Sequence, residues 1–103
     1  MIAVYLAEDE PLARAALAGL LRDVPGWTLI GDADNGEQAL RDCLHNPPDV
    51  LFTDIQMPML GGLELAAALR RDRPGVHMVF ITAHDQHAVQ AFRLAAVDHL
   101  LKP

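Results

Sequence analysis

The chain has 103 residues, enough for one domain with one hydrophobic core. Apolar residues make up 51% of it and charged residues 21%, which is typical of a folded domain rather than a disordered segment. The formal net charge of −6, with 8 Lys and Arg against 14 Asp and Glu, argues against direct binding of nucleic acid by this domain.

Short apolar runs alternate along the chain with stretches whose apolar residues recur at helical spacing. A strand is predicted over residues 2–7. A helix follows, with Pro11 in its first turn and Pro25-Gly26 at its end. Its buried face is predicted to comprise Ala13, Ala16, Leu17, Leu20, Leu21 and Val24.

The same alternation continues to the end of the chain. A second helix is predicted to begin at Asn35-Gly36 with Cys43 on its buried stripe, and Asn46-Pro47-Pro48 ends it, since a residue before proline avoids helical geometry. The other predicted elements are strands at 27–31, 49–53, 76–81 and 97–101, and helices at 63–71 and 86–94.

Five strands that alternate with four helices predict an α/β fold, with a parallel sheet covered on both faces. Right-handed crossovers favour a doubly wound, flavodoxin-like sheet with strand order 2-1-3-4-5. A helix after the last strand would complete the layer. We therefore expect residues 1–103 to be one domain, truncated before its final helix.

The informative residues are those just past each predicted strand, at the edge where such sheets bind ligands. Glu8, Asp9 and Glu10 follow the first strand, Asp54 the third, and Lys102 the fifth; Thr82, Ala83 and His84 follow the fourth. Clustered carboxylates favour Mg²⁺, and a carboxylate can also act as a nucleophile toward a phosphoryl group. Mg²⁺ and Lys102 would then neutralise the phosphoryl oxygens.

At these residues the sequence resembles the receiver domains of bacterial two-component response regulators. Four segments, AEDEPLAR, TDIQMPMLGGLEL, VFITAHDQHAVQAF and VDHLLKP, match the landmarks of that family in order. The segments EDEPLAR and DIQMP are most similar to receivers coupled to LytTR-type DNA-binding domains. The resemblance implies a switch that a sensor histidine kinase phosphorylates, and not an enzyme beyond its own phosphoryl transfer and dephosphorylation.

The resemblance also implies a role for each matching residue. Asp54 matches the phosphoacceptor, Glu8 and Asp9 the acidic pair that binds Mg²⁺, and Gln56 the residue whose backbone carbonyl completes the metal shell. Thr82 matches the switch hydroxyl and Lys102 the phosphate-binding lysine, which precedes a proline through a bond that is usually cis in the family.

Two positions depart from the commonest family pattern. Glu8 stands where many members carry Asp, and His99 stands where an aromatic switch residue, usually Tyr or Phe, turns inward with Thr82. His84 is close enough to the predicted site to tune dephosphorylation. Phosphorylation is expected to change the surface of the fourth helix and fifth strand, and so to control dimerisation or an output domain outside this chain.

Two other functions stay open. A receiver-like module can signal by dimerising without being phosphorylated. A Mg²⁺-dependent phosphatase can use an aspartyl nucleophile on a similar sheet, but it carries a second Asp two positions later, where this chain has Gln56.

The predicted location is the cytoplasm. Cys43 is the only cysteine, no apolar run reaches the roughly 18 residues of a membrane span, and the acidic start of the chain is unlike a signal peptide. His45 and His77 are predicted to be surface residues, while Met57 and Met59 are predicted to shape the loop beneath Asp54.

Overall fold

A computed structural model describes residues 1–81, which form four strands and three helices. The elements are, in chain order, β1 (Ile2–Ala7), α1 (Pro11–Arg22), β2 (Trp27–Ala33), α2 (Gly36–His45), β3 (Val50–Asp54), α3 (Gly62–Asp72) and β4 (His77–Ile81). None of these three helices has the length and apolar character that crossing a membrane requires. The helix and strand predicted at 86–94 and 97–101 lie outside the described residues.

The four strands form one parallel sheet with the order β2-β1-β3-β4. This confirms the predicted doubly wound arrangement and the central position of β3. The chain runs from β1 outward to β2 and then crosses back to β3, so the topological switch point lies between β1 and β3. Ala7 at the end of β1 is paired with Thr53, which places the carboxyl ends of the two strands side by side.

Two hydrophobic clusters cover the two faces of the sheet. Successive side chains of a strand point to opposite faces, so Val4 and Leu6 of β1 join the α1 side while Tyr5 joins the side of α2 and α3. Val4 to Ala7 are all buried, as a strand covered on both faces requires. Cys43 is fully buried in the second cluster, as predicted.

The structure differs from the predicted elements in several details, and most other boundaries shift by one residue. β2 extends two residues further, to Ala33, because this residue still pairs with Ala7 of β1. Asp54 is the last residue of β3 rather than the first after it, since it pairs with β4. In α1, Ala16 is exposed and Ala18 is buried, because alanines carry too little apolar area to define which side of the helix faces the sheet.

Candidate metal centre

Three carboxylates meet at the carboxyl edge of the sheet. Glu8 and Asp9 directly follow β1, and Asp54 ends the neighbouring strand β3. One ligand oxygen from each of the three residues lies within 4.8 Å of the others. A set of carboxylate oxygens that converges from two strands suits a hard divalent cation such as Mg²⁺.

Glu8 is the buried member of this set, with 1% of its surface exposed. Its N–H donates to the carbonyl of Ala33 at 3.0 Å, and its Oε2 accepts from the N–H of Glu10 at 3.0 Å. Its Oε1 is also buried and has no hydrogen-bond partner among residues 1–81. Because an unpartnered buried carboxylate oxygen is costly, this atom fits the role of a cation ligand.

The surroundings of Glu8 favour its protonated form. The pKa of Glu8 is raised from 4.5 to about 7, mainly by burial and in addition by the negative charges of Asp54 and Asp9, while the hydrogen bond from the Glu10 N–H acts in the opposite direction. A bound cation would stabilise the ionised carboxylate instead. A proton and a metal ion therefore compete for Glu8 near neutral pH.

The other two carboxylates are accessible. Asp9 is exposed and Asp54 is half-buried, so the site opens to solvent on one side. The Thr53 hydroxyl donates to the backbone carbonyl of Asp54 at 2.9 Å, which helps to hold the end of β3. Asp54 can thus meet a reagent from solution while its backbone stays anchored.

The loop between β3 and α3 is packed tightly against its neighbours through two glycines. A Cβ at Gly62 would collide with the backbone carbonyl of Asp54, and one at Gly36 would collide with that of Leu60. Within this loop Met57 packs against the cluster on the α2 and α3 side, whereas Met59 is exposed and has a φ of 71°. The two helix N-termini therefore define the course of the loop beside Asp54.

Of the residues predicted from sequence to form the site, the structure brings together Glu8, Asp9 and Asp54. Gln56 lies exposed in the loop that follows Asp54. The remaining predicted residues, Thr82, His84, His99, Lys102 and Pro103, lie outside the described residues.

Two contributions to the site were missed in the sequence. The Glu10 carboxylate caps α1 by accepting the N–H of Ala13 at 2.7 Å. The Arg14 guanidinium donates to the backbone carbonyl of Glu8 at 3.1 Å. Both residues lie in the segment AEDEPLAR, but Glu at an N-cap is not among the preferred residue types and an arginine on a helix is usually solvated, so these two contacts were not predicted.

The sequence model of the response regulator receiver domain matches residues 4–103. The chain belongs to the response regulator receiver family. It is 44% identical over 99 residues to an uncharacterized response regulatory protein of Vibrio cholerae, a match that covers 95% of this chain and 38% of that protein. It is 41% identical over 98 residues to the transcriptional regulatory protein LytR of Staphylococcus aureus, covering 95% and 40%.

Solved structures agree with this assignment. The response regulatory domain of protein mrkE from Klebsiella pneumoniae superposes with a TM-score of 0.72 at 36% identity, over 91% of this chain and 77% of that one. The chain spans about two-fifths of the length of the two curated relatives above. This receiver domain is part of two-component signal transduction, a signalling protein rather than a conventional enzyme.

Proposed function

We propose that this chain is a phosphorylation-activated switch in which Asp54 accepts a phosphoryl group from a sensor histidine kinase. The observation that carries the proposal is the buried, unpartnered Oε1 of Glu8 beside the carboxylates of Asp9 and Asp54. In a receiver domain, such a group is suited to holding Mg²⁺ next to the phosphoacceptor. The backbone carbonyl of Gln56 is the proposed fourth protein ligand.

The proposed reaction is a displacement at phosphorus. A carboxylate oxygen of Asp54 forms the new P–O bond as the P–N bond of the kinase phosphohistidine breaks, and the electron pair of that bond returns to the imidazole. Three carboxylates at this edge would otherwise repel the incoming phosphoryl oxygens. Bound Mg²⁺ would supply the positive charge that offsets this repulsion. Lys102 is proposed to add a second positive charge at the phosphoryl group.

The proposed switch follows from the family resemblance. Thr82 would move toward the phosphoryl group and donate a hydrogen bond, and His99 would turn inward after it. His84 would influence the rate of dephosphorylation. These movements would change the surface formed by residues 86–94 and 97–101, and so shift the population between two states of different affinity for a partner.

The proposed output is transcriptional control by a domain outside this chain. The Staphylococcus aureus relative LytR is a transcriptional regulatory protein, which supports this proposal. A LytTR-type DNA-binding domain, homodimerisation on phosphorylation and a cytoplasmic location are part of it. The net charge of −6 favours an arrangement in which the receiver itself does not bind DNA.

The first test is phosphorylation of the chain by a small-molecule phosphodonor with Mg²⁺, read by intact mass. We expect the addition of one phosphoryl group, which Asp54→Asn abolishes and a chelator prevents. Asp72→Asn is the matched control, since it removes a carboxylate at the end of α3, away from the site. Folded wild-type protein that gains no phosphoryl group would contradict the proposal and favour the unphosphorylated interaction module.

The second test concerns the output. The mass of the full-length protein in solution is measured by light scattering with and without the phosphodonor. We expect phosphorylation to increase the dimer fraction in the wild type but not in Asp54→Asn. An unchanged mass at complete phosphorylation would refute control by dimerisation while leaving the phosphoacceptor role intact.

A further inference from the structure

An arginine closes the loop that carries the metal-centre acids. This loop, residues 8–10 between β1 and α1, is called the acidic loop below. The Nη1 of Arg14 donates to the carbonyl of Glu8 at 3.1 Å, and the backbone N–H of Arg14 donates to the carbonyl of Glu10 at 2.8 Å. Arg14 therefore contacts both ends of the acidic loop.

This contact completes a set of restraints on Glu8. The N–H of Glu8 is bound to Ala33 in β2, its carbonyl to Arg14 in α1, and its Oε2 to the N–H of Glu10. Only Oε1 is left without a partner among residues 1–81. With these three groups held, rotation of the peptide between Glu8 and Asp9 is restricted, and so is the direction in which both side chains leave the backbone.

We propose that Arg14 is a positioning residue for the metal centre. Its guanidinium holds the peptide between Glu8 and Asp9 in the orientation that brings both carboxylates beside Asp54. The inference rests on the proposed function, because it concerns the affinity of the same Mg²⁺ site. Arg14 acts through the backbone of Glu8 and is not itself a ligand.

The direction in which Mg²⁺ affinity changes when Arg14 is removed distinguishes positioning from simple electrostatics. Arg14 carries a positive charge, which by Coulomb repulsion opposes binding of a cation nearby. If charge alone mattered, removing it would tighten Mg²⁺ binding. If Arg14 positions the acids, its removal weakens binding, and partners outside the ligand shell typically contribute roughly tenfold or more in metal affinity.

The test is calorimetric titration of the receiver chain with Mg²⁺. We expect Arg14→Gln to weaken binding roughly tenfold. Arg14→Lys should recover part of the loss, because lysine keeps the charge and one donor but lacks the planar fork of the guanidinium. Arg22→Gln is the matched control, an equal change of charge at an exposed position in the last turn of the same helix, and should bind as the wild type does.

Each outcome has a defined meaning. Arg14→Gln protein that binds Mg²⁺ as tightly as the wild type, or more tightly, would overturn the inference and leave the proposed function standing. Wild-type protein that binds no Mg²⁺ would overturn both. A loss of affinity in Arg14→Gln without one in Arg22→Gln would support the inference.

Amide hydrogen exchange in the metal-free protein gives a second readout. In Arg14→Gln we expect faster exchange at the N–H groups of Glu8 and Glu10, which lie in the restrained loop. The N–H of Gln38 at the start of α2 is the internal reference, and its unchanged protection shows that the variant is folded. Unchanged protection at both loop amides would overturn the inference.

Discussion

Two polar side chains at β1, only three residues apart, are almost completely buried. One has a hydrogen-bond partner for its polar atom, and the other has an oxygen without one. Tyr5 is 2% exposed, and its hydroxyl donates to Oδ2 of Asp42 at 2.5 Å. Glu8 is 1% exposed, and its Oε1 has no partner within residues 1–81. Burial raises the pKa of both side chains. The pair of Tyr5 and Asp42 is called the anchor below.

The anchor is built as a structural contact. Gln38 donates to the second carboxylate oxygen of Asp42 at 2.7 Å, so both oxygens are bound. Gly31 on β2 makes room for the ring, since a Cβ there would lie 2.9 Å from Cε2 of Tyr5. In the metal centre, by contrast, Oε1 of Glu8 has no hydrogen-bond partner among residues 1–81. The comparison teaches that the unpartnered carboxylate oxygen of Glu8 lies at the edge where a ligand can offset its cost.

The largest expected effect is a dependence of stability on pH, which arises from ionisation of the buried Glu8 carboxylate. The pKa of Glu8 in the folded, metal-free protein is about 7, above the value of 4.5 in an exposed glutamate, so the folded state binds more protons between these values. The contribution of Glu8 to the free energy of unfolding should therefore be greatest below pH 4.5. It should fall by about 3 kcal/mol in total as the pH rises through 7. Urea unfolding across this pH range in chelator measures it.

Glu8→Gln should abolish that fall, since the amide does not ionise. Mg²⁺ should stabilise the wild type increasingly as pH rises through the same window and should not stabilise Glu8→Gln. Glu37→Gln, which removes an exposed carboxylate of α2, is the matched control and should keep the wild-type profile. If stability depended on pH in Glu8→Gln as it does in the wild type, the loss of stability could not be assigned to Glu8.

The next effect concerns how tightly the site is packed. Gly62→Ala places a Cβ against the backbone carbonyl of Asp54, which has no side-chain freedom to move away. We expect a loss of about 2–3 kcal/mol in the free energy of unfolding and a reduced rate of phosphorylation of Asp54. Gly19→Ala in α1, where a Cβ meets nothing within 4 Å, should instead stabilise by about 0.5–1 kcal/mol. Equal effects of the two substitutions would show that Gly62 is not sterically required.

A smaller effect is expected at the anchor. Tyr5→Phe removes the hydroxyl and leaves an oxygen of Asp42 without its donor, so the free energy of unfolding should fall by about 1–2 kcal/mol. Because the anchor is separate from the metal centre, Mg²⁺ affinity should not change. Chemical unfolding and calorimetry on the same samples measure the two quantities. Weakened Mg²⁺ binding in this variant would show that the anchor and the metal centre are not independent.

The smallest effect is expected at the start of α2, the helix that carries Asp42. The Oδ1 of Asn35 caps this helix by accepting the N–H of Gln38 at 2.9 Å. Asn35→Ala should destabilise the domain by about 1 kcal/mol. Asn46→Ala is the control, because Asn46 is exposed at the other end of the helix. Thermal unfolding of both variants checks this, and a loss as large in Asn46→Ala would argue against the capping role.

The sequence by itself determined the fold class, the order of the first four strands and the elements that bear the three acids. Strands and helices were recognisable because a parallel sheet covered on both faces requires buried runs such as Val4 to Ala7, and alternation with helices restricts the topology. The roles proposed for Asp54 and the acidic pair came from the family resemblance, since these residues match positions of known role in receiver domains.

Only the tertiary structure decided which acid is buried, which of its oxygens lacks a partner, and which residues hold it. Glu8 differs from Asp9 because its backbone continues the pairing of β1 with β2 through Ala33, which leaves its side chain inside and that of Asp9 outside. The contact of Arg14 with Glu8 likewise depends on how α1 packs on the sheet. Burial and hydrogen bonding depend on neighbours that are distant in sequence, so local sequence patterns do not predict them.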